Sequence, residues 1–286
     1  MQKKKIHHEK TIGIIGVGFM GGYFAGKFLK KGYSVYLYDI DQERVKVFVE
    51  KGAIVCSGPQ EVTQKADVIF DLTPNDTTSK TVWLGQKGII ANATPEKILI
   101  VSATISAEWV DELATHCKEA GLNFFDVAIN GGETGLTLLC GGDKELLDEI
   151  KPVLQAVATK IWYFGKTGQG MRYKLILNFL QAVHIVSFGQ AMKIAKDQHM
   201  DIKKVGNALT VRPGGAVVAQ VWELYQDMPD DVAFKIELIA KDLRYAKKMA
   251  KNVQANILDA VLSDYEQAIE KGFAKKDWTD IITMED

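Results

Sequence analysis

A strand that runs straight into three spaced glycines and then into a helix leaves few folds open to a chain. Thr11-Ile12-Gly13-Ile14-Ile15 is a short β-rich run ending in Gly16-Val17-Gly18-Phe19-Met20-Gly21-Gly22. The glycines at 16, 18 and 21 complete a G-x-G-x-x-G, a pattern that carries little weight alone. Here a helix over Tyr23–Lys31 follows it, Gly32 ends that helix, and Tyr33–Tyr38 alternates as a second strand. In that setting the first two glycines allow a tight turn and close approach to a pyrophosphate, and the third lets helix pack on strand. The residues from Gly18 through Phe19 and Met20 to Gly21 then open a helix whose free N–H groups and positive dipole end suit phosphate. The plainer alternative is a glycine turn in another α/β protein.

Asp39 closes the second strand, eighteen residues beyond Gly21. An acidic residue there accepts hydrogen bonds from ribose hydroxyls and repels a 2′-phosphate. Ile40-Asp41-Gln42 follows, with Arg44 further along, so the pattern favours NAD over NADP. Strand-like runs then recur at 53–56, 67–72, 97–101, 123–129 and 136–140, with helical stretches among them. Such alternation predicts an α/β chain with a doubly wound, mostly parallel sheet of the Rossmann type. Ligands of such sheets lie beyond the strands' carboxyl ends, which draws attention to Thr73-Pro74, Thr104 and the apparent turn Asn130-Gly131-Gly132. Each is also what an ordinary strand-ending turn would use.

The second constraint is the stretch from Gly168 to Met200. It has no proline, and after Gly170 only Gly189 interrupts a helix running to about His199. Between Leu175 and Ala195 it is apolar on nearly every face, which predicts a helix buried on most sides. At about 100° per residue, Lys174, Asn178 and Gln181 fall within roughly 60° of one another. Polar groups on a buried stripe cost free energy unless something uses them. Lys174 taken alone reads equally as a lysine reaching water from a helix start. His184 reads as a core histidine, Gln181 as a satisfied amide or a substrate contact, and Glu133 as a solvated loop residue.

Beyond Asp201 the chain reads as all helix, over 202–209, 216–225, 236–253 and 257–271. The expected division is therefore 1–167 for the dinucleotide-binding domain and 168–286 for a linking helix and an all-α domain. Arg212, in Arg212-Pro213-Gly214-Gly215, is a candidate bidentate clamp for a carboxylate, or a solvated surface residue. With 286 residues, 47% of them hydrophobic, and a net charge of −1, nothing pulls the chain toward nucleic acid or anionic membrane. Gln181, His184, Ser187 and Gln190 argue against reading the apolar helix as a membrane span. The basic start, Lys3-Lys4-Lys5 with His7-His8, reads as a solvated tail. Cys56, Cys117 and Cys140 have no paired spacing, which suits a reducing cytoplasm and suggests neither disulfides nor a metal site.

The order of these motifs resembles the β-hydroxyacid dehydrogenase family over nearly the whole chain. The resemblance rests on Gly16-Val17-Gly18-Phe19-Met20-Gly21, Leu72-Thr73-Pro74, Thr104-Ile105-Ser106, Asp126 through Gly132, Gly168-Gln169-Gly170 followed by Lys174 and Asn178, and Lys241-Asp242-Leu243. It implies a Rossmann domain, a long linking helix, an all-helical C-terminal domain and assembly as a homodimer or homotetramer. It also implies Lys174 as catalytic acid/base, Asn178 as a holder of substrate or lysine, and Thr104 and Lys241 as cofactor contacts, with Phe234 nearby. The family carries proline where Ala128 stands and serine where Asn130 stands, and of its Asp-x-Ser-Thr turn only Thr104 is kept. The eight residues between Gly132 and Gly141 are also fewer than its pattern has. These departures gather on the substrate side.

The chemistry accounts for the residue types. Oxidising an alcohol to a carbonyl needs a hydride acceptor and a base for the hydroxyl proton. A lysine on an apolar helix suits the second task, because burial disfavours its charged form. Asn178 one turn on can orient the reacting oxygen, and Asn130-Gly131-Gly132 can offer main-chain N–H groups to a substrate carboxylate. The expected function is NAD-dependent interconversion of a small 3-hydroxyacid and its semialdehyde or ketone. The alternatives are a same-fold reductase of another group such as an imine, or a non-catalytic dinucleotide-binding protein.

Overall fold

The computed structural model describes residues 10–132, 135–211, 216–227, 232–252 and 254–284. The chain separates into two compact units, Met1–Lys174 and Leu175–Asp286. In the first, strands β1 (Ile12–Ile15), β2 (Val35–Tyr38), β3 (Ile54–Val55), β4 (Val68–Asp71), β5 (Ile98–Val101), β6 (Asn123–Gly132), β7 (Gly135–Gly141) and β8 (Lys160–Tyr163) form one sheet. Its helices are α1 (Phe19–Lys30), α2 (Gln42–Val49), α3 (Pro59–Lys65), α4 (Asp76–Trp83), α5 (Ile89–Asn92), α6 (Ala107–Glu119) and α7 (Lys144–Leu154). Helix α8 (Gln169–Asp197) starts there and continues into the second unit, which adds α9 (Ile202–Val211), α10 (Ala216–Gln226), α11 (Ile236–Met249) and α12 (Asn256–Glu270).

The strand order is β3-β2-β1-β4-β5-β6-β7-β8. Pairing is parallel from β3 through β6; β7 is antiparallel to β6 and parallel to β8. Strands β1, β4 and β5 are buried at every position, the uninterrupted burial expected of parallel strands covered on both faces. The direction of winding reverses between β1 and β4, which makes their carboxyl ends the switch point of the sheet. Register places those ends level, because Ile15 pairs with both Tyr38 and Asp71, and Asp71 with Val101. Beneath them Phe24, Phe28, Tyr33 and Phe70 pack with ring centroids 5.2–6.2 Å apart.

Three expectations need correction. Helix α1 begins at Phe19, inside the glycine motif, four residues before the predicted Tyr23. Strand β8 was not anticipated, because Lys160-Ile161-Trp162-Tyr163 is a short, mostly exposed strand without alternation of burial. Asn130, Gly131 and Gly132 are not a turn. They end β6, opposite Thr137, Leu136 and Gly135, and only Glu133 and Thr134, outside the described residues, separate the two strands.

In the second unit Leu175, Ala182 and Val186 of α8 share a core with Ile236, Ile239, Ala240 and Leu243 of α11 and Leu258, Val261, Leu262 and Tyr265 of α12. Ile185, Phe188 and Met192 form a smaller cluster with Val221, Trp222 and Ile282. Gly189, the lone interruption in the helix, is explained here: a Cβ would stand 3.1 Å from Ile282 Cα. Length and composition alone would let α8 cross a membrane, but these two cores use it as an interior helix. It is less enclosed than its composition predicted. Ile176, Leu180 and Ile194 remain 53%, 49% and 65% exposed.

Glycines at the start of α8 are steric requirements. A Cβ on Gly170 would stand 2.3 Å from the Leu139 carbonyl oxygen, whereas one on Gly26, in α1, meets nothing within 4 Å. Gly170→Ala is expected to lose about 1–3 kcal/mol in urea unfolding through overpacking. Gly26→Ala is expected to gain about 0.5–1 kcal/mol, because a helical glycine costs backbone entropy. Equal effects of the two substitutions would contradict this packing.

Candidate active site

The glycine motif sits where β1 meets the switch point. Gly16 has φ +93°, and a Cβ there would stand 2.8 Å from the Leu72 carbonyl oxygen; one on Gly21 would stand 1.9 Å from the Gly16 oxygen. Both positions therefore require glycine. Gly18 is the N-cap of α1 and has no side chain to cap it, so the amides of that first turn receive no acceptor from the N-cap residue. Phe19 is half-exposed, and Met20 packs against the core below.

Asp39 is buried at the end of β2, and its carboxylate already holds the main chain around it. Oδ2 accepts from Val17 N at 2.6 Å and Oδ1 from Asp41 N at 2.8 Å. Each carboxylate oxygen has a second lone pair, the capacity that a ribose hydroxyl needs. Arg44 stands 4.0 Å from Asp39 and 3.2 Å from Asp41. Asp71, at the end of β4, is wholly buried and accepts from Thr73 N (2.9 Å), Ser79 Oγ (2.8 Å) and Trp83 Nε1 (2.7 Å). Burial raises its pKa, and those bonds oppose the rise. This network fixes Thr73, which is buried, and the exposed Pro74 that follows. Beyond β5, Ser102 Oγ is buried without a partner among the described residues, two positions before the half-buried Thr104. A tight glycine turn, an uncapped helix start, an acidic strand end and an orphaned hydroxyl together fit a dinucleotide.

The start of α8 is seated by Asp126, in the middle of β6. Its Oδ1 accepts from Gly168 N at 2.6 Å and its Oδ2 from Met171 N at 2.7 Å. Arg172 adds a two-pronged pair to Asp111 of α6, at 3.1 and 2.7 Å. Lys174, the last residue of the first unit, is half-buried and three residues beyond Met171. Asn178, one turn on and 2% exposed, lies in the second unit. Its Nδ2 donates to Asp242 Oδ2 at 2.7 Å. Lys241 Nζ lies 3.1 Å from the other oxygen of that fully buried carboxylate. Phe234 stacks edge-on against Trp278, and its N–H donates to Asp277 at 3.1 Å.

The predicted substrate segment is altered by the strand correction. The β6–β7 ladder engages the Asn130, Gly131 and Gly132 main chain that a turn would have left open. Gly131 has φ +100°, and a Cβ would stand 2.4 Å from the Gly135 oxygen, so its glycine serves strand pairing. Arg212 lies outside the described residues. Asp71, Asp126 and Asp242 were not singled out as site residues. The available signal was an acidic residue inside an otherwise apolar strand or helix face, which demands partners.

The switch-point glycine turn and the acidic strand end define a dinucleotide-binding domain of the Rossmann class. Residues 11–165 match the NAD binding domain of 6-phosphogluconate dehydrogenase, and residues 168–284 match the NAD-binding region of NADP-dependent 3-hydroxyisobutyrate dehydrogenase. Mitochondrial 3-hydroxyisobutyrate dehydrogenase of Mus musculus is 28% identical, over 96% of this chain and 86% of that one. The NAD-dependent L-serine dehydrogenase of Pseudomonas aeruginosa is 26% identical, over 94% of this chain and 96% of that one. The structure of Mycobacterium tuberculosis 3-hydroxyisobutyrate dehydrogenase with L-serine superposes with a TM-score of 0.86 at 22% identity, over 96% of this chain and 99% of that one. The chain belongs to the β-hydroxyacid dehydrogenase family.

The Asn178–Asp242 bond gives a direct check on the second unit. Asp242→Ala leaves a buried amide without its acceptor and is expected to cost about 1–3 kcal/mol in urea unfolding. A loss well below that range would show the bond to be dispensable.

Proposed function

We propose that this protein oxidises a 2-substituted 3-hydroxypropanoate to its semialdehyde with NAD, and catalyses the reverse reduction. The observation that carries the reading is Lys174 on the turn of α8 that follows the two main-chain bonds to Asp126. The substrate class follows from chemistry shared by the relatives' named substrates. 3-Hydroxyisobutyrate and L-serine each carry a primary alcohol two carbons from a carboxylate.

Asp39 receives the adenosine ribose hydroxyls, and its charge disfavours a 2′-phosphate. Gly16, Gly18 and Gly21 admit the pyrophosphate to the main chain, and the uncapped amides of Phe19 and Met20 face its charge. Thr73, Pro74 and Thr104 line the carboxyl ends of β4 and β5. A nicotinamide held by these residues would supply the hydride acceptor for oxidation of the carbinol carbon and the hydride donor for the reverse reduction. Lys174 Nζ takes the hydroxyl proton during oxidation. During reduction the protonated amine gives that proton to the forming alkoxide. Asn178, held by Asp242, orients the reacting oxygen; Lys241, beside the same carboxylate, and Phe234 are the proposed cofactor contacts from the helical domain. Asn130 and Arg212 recognise the substrate carboxylate. The working form is a homo-oligomer in a reducing compartment. Its three cysteines are buried, and burial pushes the thiols up to about 11 for Cys56 and about 12 for Cys117 and Cys140, keeping them unreactive.

The test is Lys174→Ala. General acid–base catalysis is worth about 10²–10⁴ in rate, so turnover should fall by that factor. NAD affinity, read by isothermal titration, should stay within about twofold. Unchanged turnover would remove Lys174 from the chemistry.

A further inference from the structure

Asp126 takes no part in the proton transfer described above, yet it is fully buried and spends both carboxylate oxygens on the backbone that leads to Lys174. We propose that Asp126 is a positioning residue: its ionised carboxylate latches the first turn of α8 onto the sheet and so fixes where Lys174 Nζ meets the reacting oxygen. This rests on the assignment of Lys174 as the acid/base.

Three observations support the latch. First, Gly168 and Met171 supply N–H groups at the start of a helix, where amides have no intrahelical acceptor, and Asp126 on another element satisfies two of them at 2.6 and 2.7 Å. Second, the surroundings are cleared for this approach. A Cβ on Gly141 would stand 2.5 Å from Asp126 Oδ1 and 2.9 Å from Gly170 N, and Gly168 has φ +89°. Third, the bonds need the charged form. An ionised carboxylate accepts at both oxygens, whereas protonation turns one into a hydroxyl, a poorer acceptor.

The electrostatic setting brings that protonation into an accessible range. Burial pushes the Asp126 carboxyl up to about 6, against the bonds from Gly168 and Met171 and the attraction of Arg172. Arg172 on α8 is itself paired with Asp111 of α6 and feels Glu108 on the same helix. From β7 comes only the Cys140 thiol, pushed up to about 12 and therefore neutral. Val101 pairs with Asp126 from β5, and the Lys166 carbonyl lies over Gly141. Lowering the pH through about 6 therefore discharges the latch. In the reduction direction this separates Asp126 from Lys174, because acid favours the protonated lysine that reduction uses.

Two measurements test the proposal. The first is hydrogen–deuterium exchange of the wild-type protein across residues 166–173, corrected for intrinsic rates, between about pH 5 and pH 8. Protection of the Gly168 and Met171 amides should fall about tenfold or more as the pH drops through 6. Protection that stays constant would overturn the latch, and this holds even if no variant folds. The second is reduction of 2-methyl-3-oxopropanoate with NADH by the wild type and by Asp126→Asn. The variant should lose about tenfold or more in kcat with KM for NADH within about twofold, and should lack the wild type's fall in kcat below pH 6. A variant with wild-type kcat and the same acid limb would remove Asp126 from catalysis while leaving Lys174 in place. Free turnover by Lys174→Ala would instead overturn the underlying reading, and the exchange result would then decide the latch alone.

Discussion

Two main-chain N–H groups bound to one buried carboxylate tie the linking helix to the sheet. Asp126 lies inside β6, shielded from water, and accepts from Gly168 and Met171 at the start of α8. A helix start cannot come that close to a strand unless side chains are removed from both. Gly141 and Gly170 remove them, and a Cβ at either would collide with main-chain atoms of the other element. Gly170 in the first turn of α8 and Gly141 at the end of β7 are thus one packing requirement seen from two places in the sequence. Lys174 inherits its position from that contact.

The same device recurs throughout the chain. Asp39 holds Val17 and Asp41, Asp71 holds Thr73 with Ser79 and Trp83, and Asp277 holds Phe234 and Thr279. Asp242 does for the Asn178 side chain what the others do for backbone. A buried carboxylate is costly to desolvate and tolerable only when hydrogen-bonded. Each of these is spent on a segment that carries a site residue or leads into one. Fixed geometry at the loops, rather than a larger apolar core, is what these charges provide.

The class of fold was legible in the sequence because parallel strands and glycine turns leave strong local signals. Ile12 to Ile15, Val68 to Asp71 and Ile98 to Val101 are read almost to the residue, since buried parallel strands are continuous apolar runs. Asn130-Gly131-Gly132 misled because glycine pairs signal turns, whereas here the strand continues through them and Gly131 lets the backbone pass close to the Gly135 oxygen on the paired strand. Strand β8 was hidden because an exposed edge strand need not alternate. Lys174 and Asn178 stood out as polar residues on an apolar helix. Their supports, Asp126 and Asp242, did not, because a hydrogen bond spanning 45 or 64 positions leaves no local trace.

Hydride transfer between a nicotinamide and a small 3-hydroxyacid is the activity we propose for this chain. It is tested most directly by incubating the purified protein with a panel of 2-substituted 3-hydroxypropanoates and either NAD or NADP, and following the nicotinamide absorbance. The account predicts a sustained rise with at least one member of the panel, faster with NAD than with NADP. No rise with any member, in a protein shown by titration to bind NAD, would contradict it.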